Sequence, residues 1–352
     1  MEGNSSSIEN QIDQHLPFVL YCKPNSAIVC GLLQQNDTLY DVDDFTESGF
    51  VFASFDGKVT HLIPEVNSER VVFDRRSFSK TAIDCTSFAS DLRSKVVFEN
   101  LVALGIKAIK ENQMKKVVLS RKETVAVTDF DLLTTFQKLI ALYPTAFVYC
   151  YYHPKVGTWL GATPEQLVKS TDSEFETIAL AGTQKDQGSS EVIWQKKEQE
   201  EQQFVTDYIV AKLNNKVSGL KVSSPYSVKA GMIWHIKSNI TAVFNERTKL
   251  KEIVQLLHPT PAVCGFPKEE SKAFILNQEQ YDRKYYTGFL GELNQKGING
   301  TLSSDLFVNL RSMEIEGNKA NIYIGCGITK DSDPTKEWEE SVNKSLTMKR
   351  VL

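Results

Sequence analysis

The sequence predicts an α+β fold. Three observations carry this expectation. Residues 18–75 hold short apolar or aromatic runs separated by turn residues, the pattern of strands. From Val96 onward, stretches with helical apolar spacing alternate with strand-like runs. That alternation lacks both the regular strand–helix–strand rhythm and the glycine fingerprint of a dinucleotide-binding fold.

Composition sets the bounds. The 352 residues are 41% hydrophobic and 24% charged, which suits a globular chain with a large core. Length alone allows two domains or one large one. The net charge is −4 and no basic block stands out, so nucleic acid is not an expected partner. No apolar run approaches the roughly 20 residues that cross a bilayer, so no membrane partner is expected either. The cysteines at 22, 30, 85, 150, 264 and 326 are scattered without a Cys-x-x-Cys pair. They read as reduced, buried thiols of a cytoplasmic protein. Met1 to Ser7 is polar and lacks the regions of a secretory signal; residues 1–15 are expected to be flexible.

In chain order, Phe18–Cys22, Ala27–Cys30, Gly49–Ala53 and Val71–Phe73 are expected strands of a scaffold sheet. Val97, Leu101, Leu104, Ile106 and Ile109 fit a helix. A strand starts on Lys116 and runs to Val127, a helix covers Asp131–Leu142, and a strand covers Ala146–Tyr152. Pro164 biases Thr163 away from helix, so Glu165 is expected on a bend where a strand ends. Phe175–Leu180 is a strand leading into Ala181-Gly182-Thr183. The polar stretch 184–203 reads as a loop and then a solvated helix, amphipathic from Phe204. Glu198 and Glu201 lie one helical turn apart there. A strand through His235, a helix over Leu250–Leu257, the turn His258-Pro-Thr260-Pro and a helix from about Lys268 follow. Another strand, from Leu306, is expected to end near Arg311.

The last stretch organises the rest. A strand over Ala320–Ile324 runs into Gly325-Cys326-Gly327, and Asp333-Pro334 opens a helix with Pro at its first position. Glu337, Glu340 and Lys344 then share one helical face. Two carboxylates one turn apart can share a hard cation such as Mg²⁺. They also suit a solvated helix face; the strand, the glycines and Asp-Pro ahead of them favour the ligand role.

Taken together, these residues resemble the chorismate-utilising enzymes, a family that includes isochorismate, salicylate, anthranilate and aminodeoxychorismate synthases. The likeness covers residues 96–352. It rests on Lys-Val-Val-Leu-Ser-Arg at 116–121, Gly-Ala-Thr-Pro-Glu at 161–165, Leu-Ala-Gly-Thr at 180–183 and Lys-Glu-x-x-Glu at 197–201. It continues through His-Pro-Thr-Pro-Ala at 258–262, Arg-x-x-Tyr-x-Gly-x-x-Gly at 283–291, Gly-x-Gly-Ile at 325–328 and Asp-Pro-x-x-Glu-Trp-x-Glu at 333–340. The resemblance implies two large β-sheets packed face to face between helical layers. It also implies a single domain over 1–352, with residues 16–95 adding strands to the 96–352 core.

The resemblance implies roles as well. Glu201 and Glu340 would bind Mg²⁺ directly, and Glu198 and Glu337 would complete its shell. Arg311 and Tyr286 would hold the pyruvyl carboxylate of chorismate, for which an Arg fork is suited. Gly325, Gly327 and Lys344 would meet the substrate, and Ala181, Gly182, Thr183, His235 and Thr260 match further pocket positions. His258 reads as structural. The family usually has His where this chain has Gln202 and Gly where it has Cys264, which bears on local packing.

Two positions select the reaction. Water-using members carry a lysine base at the position of Lys116, where ammonia-using members carry Gln. No glutamine amidotransferase partner is therefore implied. Aminodeoxychorismate synthase carries a nucleophilic lysine where this chain has Ala181. What remains is hydroxyl exchange on the chorismate ring, with Lys116 activating water at C2 and Glu165 protonating the departing C4 hydroxyl. The expected activity is isochorismate synthase. The alternative is salicylate synthase, which uses the same Lys and Glu and then expels pyruvate.

Overall fold

The structure, a computed structural model, describes residues 2–78, 92–186, 188, 192–230, 233–246, 248–297 and 299–352. Helix α1 (Glu2–Asp13) precedes six strands: β1 (Phe18–Cys22), β2 (Ile28–Gln34), β3 (Tyr40–Asp41), β4 (Gly49–Ala53), β5 (Thr60–Pro64) and β6 (Ser68–Asp74). Helix α2 (Leu92–Lys110) leads to β7 (Lys116–Ala126), and α3 (Leu132–Leu142) to β8 (Phe147–His153), β9 (Gly157–Thr163), β10 (Gln166–Thr171) and β11 (Glu174–Lys185). Then come α4 (Lys196–Leu213), β12 (Val217–Val222), β13 (Tyr226–Ala230), β14 (Ile233–Phe244), α5 (Leu250–Leu257), β15 (Gly265–Phe266) and α6 (Lys268–Gln278). The chain closes with β16 (Phe289–Lys296), β17 (Leu302–Val308), β18 (Ser312–Glu316), β19 (Lys319–Ile328) and α7 (Pro334–Lys349).

Two antiparallel sheets result. One has the order β15-β7-β19-β18-β9-β8-β1-β2-β6; the other runs β12-β14-β11-β10-β17-β16-β4-β5-β3, with β13 paired to β14. This is the expected α+β architecture of two large sheets between helices. The N-terminal strands enter both sheets: β1 pairs with β8 in the first and β4 with β16 in the second.

An aromatic layer fills the space between the sheets. Tyr21, Phe147, Tyr149, Tyr151, Trp159 and Tyr323 of the first meet Phe50, Phe52 and Phe307 of the second. Phe52 stacks on Tyr151 at a centroid distance of 4.4 Å and Phe147 on Phe307 at 4.3 Å. Such rings supply large buried area with defined geometry. On the outer faces, α4 and α5 cover the second sheet through Val205, Ile209, Ile253 and Val254. Helices α2, α6 and α7 cover the β7–β19 end of the first sheet through Phe98, Val102, Ile275 and Trp338.

Three expectations need correction. From Ile8 onward the first helix is not a loose tail: Ile8 of α1 is buried in the core below the first sheet. The Gln11 amide donates to the Pro17 and Gln34 carbonyls at 3.0 and 2.6 Å, which ties α1 down. Gly325-Cys326-Gly327 is not a turn, because β19 continues to Ile328 in register with β7. The strand from Leu306 stops at Val308, and Arg311 sits in the following turn with φ of 49°. The cysteines other than Cys85 are free thiols, as expected; Cys85 lies outside the described residues. Among the described residues, no helix is long and apolar enough to cross a membrane.

Candidate active site

One cavity of about 260 Å³ opens where β7 and β19 of the first sheet meet β11 and β14 of the second. Helices α4 and α7 flank it. Their seating follows from their sequences. Along α7, Trp338, Ser341, Ser345 and Met348 form the buried stripe. Trp338 lies under the Arg121 guanidinium at 4.5 Å, and Arg121 Nε donates to Ser341 Oγ at 2.8 Å. This rotation leaves Glu337, Glu340 and Lys344 on the cavity side. The Asp333 side chain caps the helix by accepting from the Lys336 N–H at 3.0 Å. Along α4, Val205, Tyr208, Ile209 and Leu213 face the second sheet, and Glu198 and Glu201 reach the cavity from the first turns.

Lys116 enters at the start of β7, where its neighbour in β15 is Phe266. It is buried, and its ammonium donates to Glu201 Oε1 at 3.0 Å. Across β19 a methyl group on Gly327 would stand 3.2 Å from Lys116 Cε, so the missing side chain makes room for the lysine. Gly325 works the same way for Tyr286, whose hydroxyl oxygen would lie 2.8 Å from an added Cβ.

Glu165 sits in the bend between β9 and β10, as expected from Pro164. Its carbonyl accepts from the Val308 N–H at 2.9 Å, which pins the bend to β17. Burial pushes its carboxyl up to about 7, while the charge of Lys116 and the Thr260 hydroxyl pull the other way. His235 on β14 donates from Nδ1 to the Gly182 carbonyl at 3.1 Å. Burial holds this imidazole down at about 4, so it is neutral, with Nε2 as its acceptor nitrogen. Arg311 Nη1 reaches the Lys344 carbonyl at 3.4 Å and Thr347 Oγ1 at 3.5 Å. Lys344 itself donates to the Gly325 carbonyl at 2.9 Å and pairs with Glu340 at 2.6 Å. The Lys344 charge keeps the Glu340 carboxyl below its usual range.

The acidic cluster fits a divalent cation. Glu198 Oε2 is buried and has no hydrogen-bond partner among the described residues. Ligand atoms of Glu337, Glu340 and Cys326 lie within 4.8 Å of one another. An unsatisfied buried carboxylate oxygen in one cavity with further carboxylates suits a hard cation, though Glu198 and Glu201 lie outside the group within 4.8 Å.

The comparisons decide the family. The chorismate binding enzyme model matches residues 51–352. The chain belongs to the chorismate-binding enzyme family. Isochorismate synthase EntC of Escherichia coli is 30% identical over 269 residues, spanning 73% of this chain and 67% of that protein. The solved structure of MenF, the menaquinone-specific isochorismate synthase of Escherichia coli, superposes with a TM-score of 0.81 at 22% identity, covering 96% of this chain and 88% of that one. A putative 2,3-dihydroxybenzoate-specific isochorismate synthase, DhbC of Bacillus anthracis, gives 0.78 at 23% identity over 97% of this chain and 98% of that one.

For this chorismate-binding enzyme, the cavity gathers both expected catalytic residues, all four expected carboxylates, and Ala181, Gly182, His235, Tyr286, Arg311, Gly325, Gly327 and Lys344. Thr260 stands behind the wall, against Glu165. The Thr183 side chain lies outside what the structure describes; its backbone pairs with His235. His258 is buried and faces the Ser54 and Phe55 carbonyls at 3.3 and 3.2 Å, in keeping with a structural role. Gln202 bonds Thr206 and Ser238 at 2.9 Å each, and Cys264 Sγ donates to the Lys268 carbonyl at 3.7 Å; neither lines the cavity. Sequence reasoning missed Cys326 as a neighbour of the carboxylates. Strand alternation along β19 was the available signal: residue 326 faces α7 while 325 and 327 face the cavity.

A stability prediction follows from Glu165. Its folded-state value of about 7 lies above the ordinary 4.5, so the native state binds the proton more tightly than the unfolded chain. The contribution of Glu165 to stability is therefore fully present below about 4.5 and is lost as pH rises through about 7. A shift of this size amounts to roughly 3 kcal/mol at about 1.4 kcal/mol per unit. Glu165→Gln is expected to melt higher than wild type at pH 8 and alike at pH 4, as thermal unfolding at both pH values will show.

Proposed function

We propose that this chain is an isochorismate synthase, converting chorismate reversibly to isochorismate with Mg²⁺ bound by Glu201 and Glu340 and supported by Glu198 and Glu337. The observation that carries the reading is the pairing of Lys116 with a protonatable, buried Glu165 in one cavity. Likeness to proteins named isochorismate synthase supports it.

Each residue has a stated task. Lys116, as the free amine, takes a proton from a water molecule as its oxygen bonds to C2 of the ring. The ring double bonds shift and the C4–oxygen bond breaks. Glu165 gives its proton to that oxygen, which leaves as water, so atoms and charge balance. Glu201 Oε1, 3.0 Å from Lys116 Nζ, fixes that nitrogen in the cavity and holds the ammonium that forms. Arg311 and Tyr286 orient the pyruvyl carboxylate, and the glycine backbone of β19 permits close approach of the ring. When bound, the metal would screen the substrate's carboxylate charge and orient it.

The acid must be protonated to work. With a value of about 7, the competent fraction of Glu165 shrinks as pH rises above neutrality. Glu165→Gln, which has no proton to give, is expected to lose on the order of 10²–10⁴-fold in kcat. Steady-state rates of this variant beside wild type test the assignment.

Hydroxyl exchange needs only these groups, whereas pyruvate loss needs a further proton transfer from C2 to the enolpyruvyl group. We infer that the reaction stops at an equilibrium mixture of the two isomers. A lactate-dehydrogenase-coupled pyruvate assay, run beside chromatography for salicylate, decides. Pyruvate no faster than from free isochorismate supports the proposal. Stoichiometric pyruvate and salicylate at the rate of chorismate loss would install salicylate synthase instead.

A further inference from the structure

Behind the cavity lies a buried ion pair with no role so far. The Arg283 and Glu279 side chains are each 2% exposed, and neither lines the cavity. Arg283 opens the Arg-x-x-Tyr-x-Gly run that also carries Tyr286. Its five N–H hydrogens match five acceptors. Nε donates to Glu279 Oε2 at 2.8 Å, and Nη2 donates to Glu279 Oε1 at 2.6 Å and to the Val118 carbonyl at 2.7 Å. Nη1 donates to the Val263 carbonyl at 3.1 Å and to Thr287 Oγ1 at 3.2 Å. Glu279 Oε1 also accepts from the Ser120 N–H at 2.7 Å and from its hydroxyl at 2.9 Å.

A buried ion pair is weak evidence for stability, since apolar residues of similar volume often serve as well. What apolar residues cannot do is hold backbone groups of separate segments in a fixed relation. The three partners of Arg283 are chosen in that sense. Val118 follows Lys116 by two positions on β7. Val263 belongs to the segment between Thr260 and β15, and β15 pairs with Lys116 and Val117. Thr287 directly follows Tyr286. One planar fork thus joins the strand of the base, the turn of the residue beside Glu165, and the turn of the substrate-facing tyrosine.

We propose that Arg283, oriented by Glu279, is a positioning residue that sets Lys116, Thr260 and Tyr286 in their mutual geometry without touching substrate. This rests on the isochorismate synthase reading. The metal carboxylates lie on α4 and α7, outside the described hydrogen bonds of Arg283; Lys116, which donates to Glu201, links the two, so metal binding should feel the pair far less than turnover does.

The test is the double variant Glu279→Leu/Arg283→Met, which removes both charges at similar volume and is expected to fold. Its kcat on chorismate is expected to fall about 10- to 100-fold, the scale of an ångström-sized misplacement. The Mg²⁺ concentration for half-maximal rate should change far less than kcat. If the double variant does not fold, Arg283→Lys, which keeps the charge but not the fork, is measured with the same expectation. A folded variant with wild-type kcat overturns the proposal. So does a loss of kcat accompanied by a parallel rise in the Mg²⁺ requirement, because that reports general loosening. Wild-type protein that turns over no chorismate overturns the functional reading itself and this inference with it, so the two failures are distinguishable.

Discussion

Lys116→Ala is expected to lose on the order of 10²–10⁴-fold in kcat, the usual contribution of a positioned general base, while still binding chorismate. The residue is buried, opens β7, and points its ammonium into the cavity beside Glu201. Among the described residues no other lysine but Lys344 lines that cavity, and Lys344 is engaged with Glu340 and the Gly325 carbonyl. Binding should survive because Arg311, Tyr286 and Lys344 come from other elements, the turn after β17, the turn before β16 and α7. Stopped-flow turnover and equilibrium binding of chorismate on the same preparation separate the two effects. Near-normal turnover would leave Lys116 as an anchor for Glu201 and nothing more.

Glu340→Gln and Glu201→Gln are each expected to abolish nearly all activity. Glu337 and Glu340 bring carboxylate oxygens to within 4.8 Å of each other, and Glu198 adds a buried oxygen that no protein donor satisfies among the described residues. Such a group is costly unless a cation or a proton compensates it. The amide keeps the size and removes the charge, but it also unpairs Lys116 or Lys344, so metal binding is read separately from turnover. Isothermal titration with Mg²⁺ gives a readout apart from catalysis: binding should be strong in wild type and much weakened in either variant. Full activity in excess chelator would remove the metal from the account.

Much of this was legible in the sequence, for identifiable reasons. Asp333 and Pro334 announce the start of α7, and from there spacing alone puts Glu337, Glu340 and Lys344 on one face. Pro164 marks the bend that carries Glu165. A helix through Val97 to Ile109 was foreseen, and Leu101, Ile106 and Ile109 do pack inward, but its whole buried stripe was not. Val97 and Leu104 are half exposed, and the face against the sheet runs through Phe98, Val102, Gly105 and Ala108. Small residues allow close packing that a hydropathy pattern under-weights. Helix α1 was missed because Ile8, Ile12 and the Gln11 amide, among the groups that hold it, pack on and bond to segments that follow in the fold, such as the Gln34 carbonyl. The Arg283–Glu279 network escaped notice for a related reason. Its meaning lies in carbonyls at Val118 and Val263, which carry no sequence signal at all.

The central claim is that water attacks C2 while the C4 hydroxyl departs. The most direct measurement is turnover in water enriched in the heavy oxygen isotope, with product and residual substrate analysed by mass spectrometry. The account predicts isochorismate carrying one heavy oxygen at C2. Because the reaction runs both ways, recovered chorismate should also gain label at C4 as equilibrium is approached. Isochorismate formed without solvent oxygen would contradict the account, since the hydroxyl would then have moved within the substrate and Lys116 would have no water to activate.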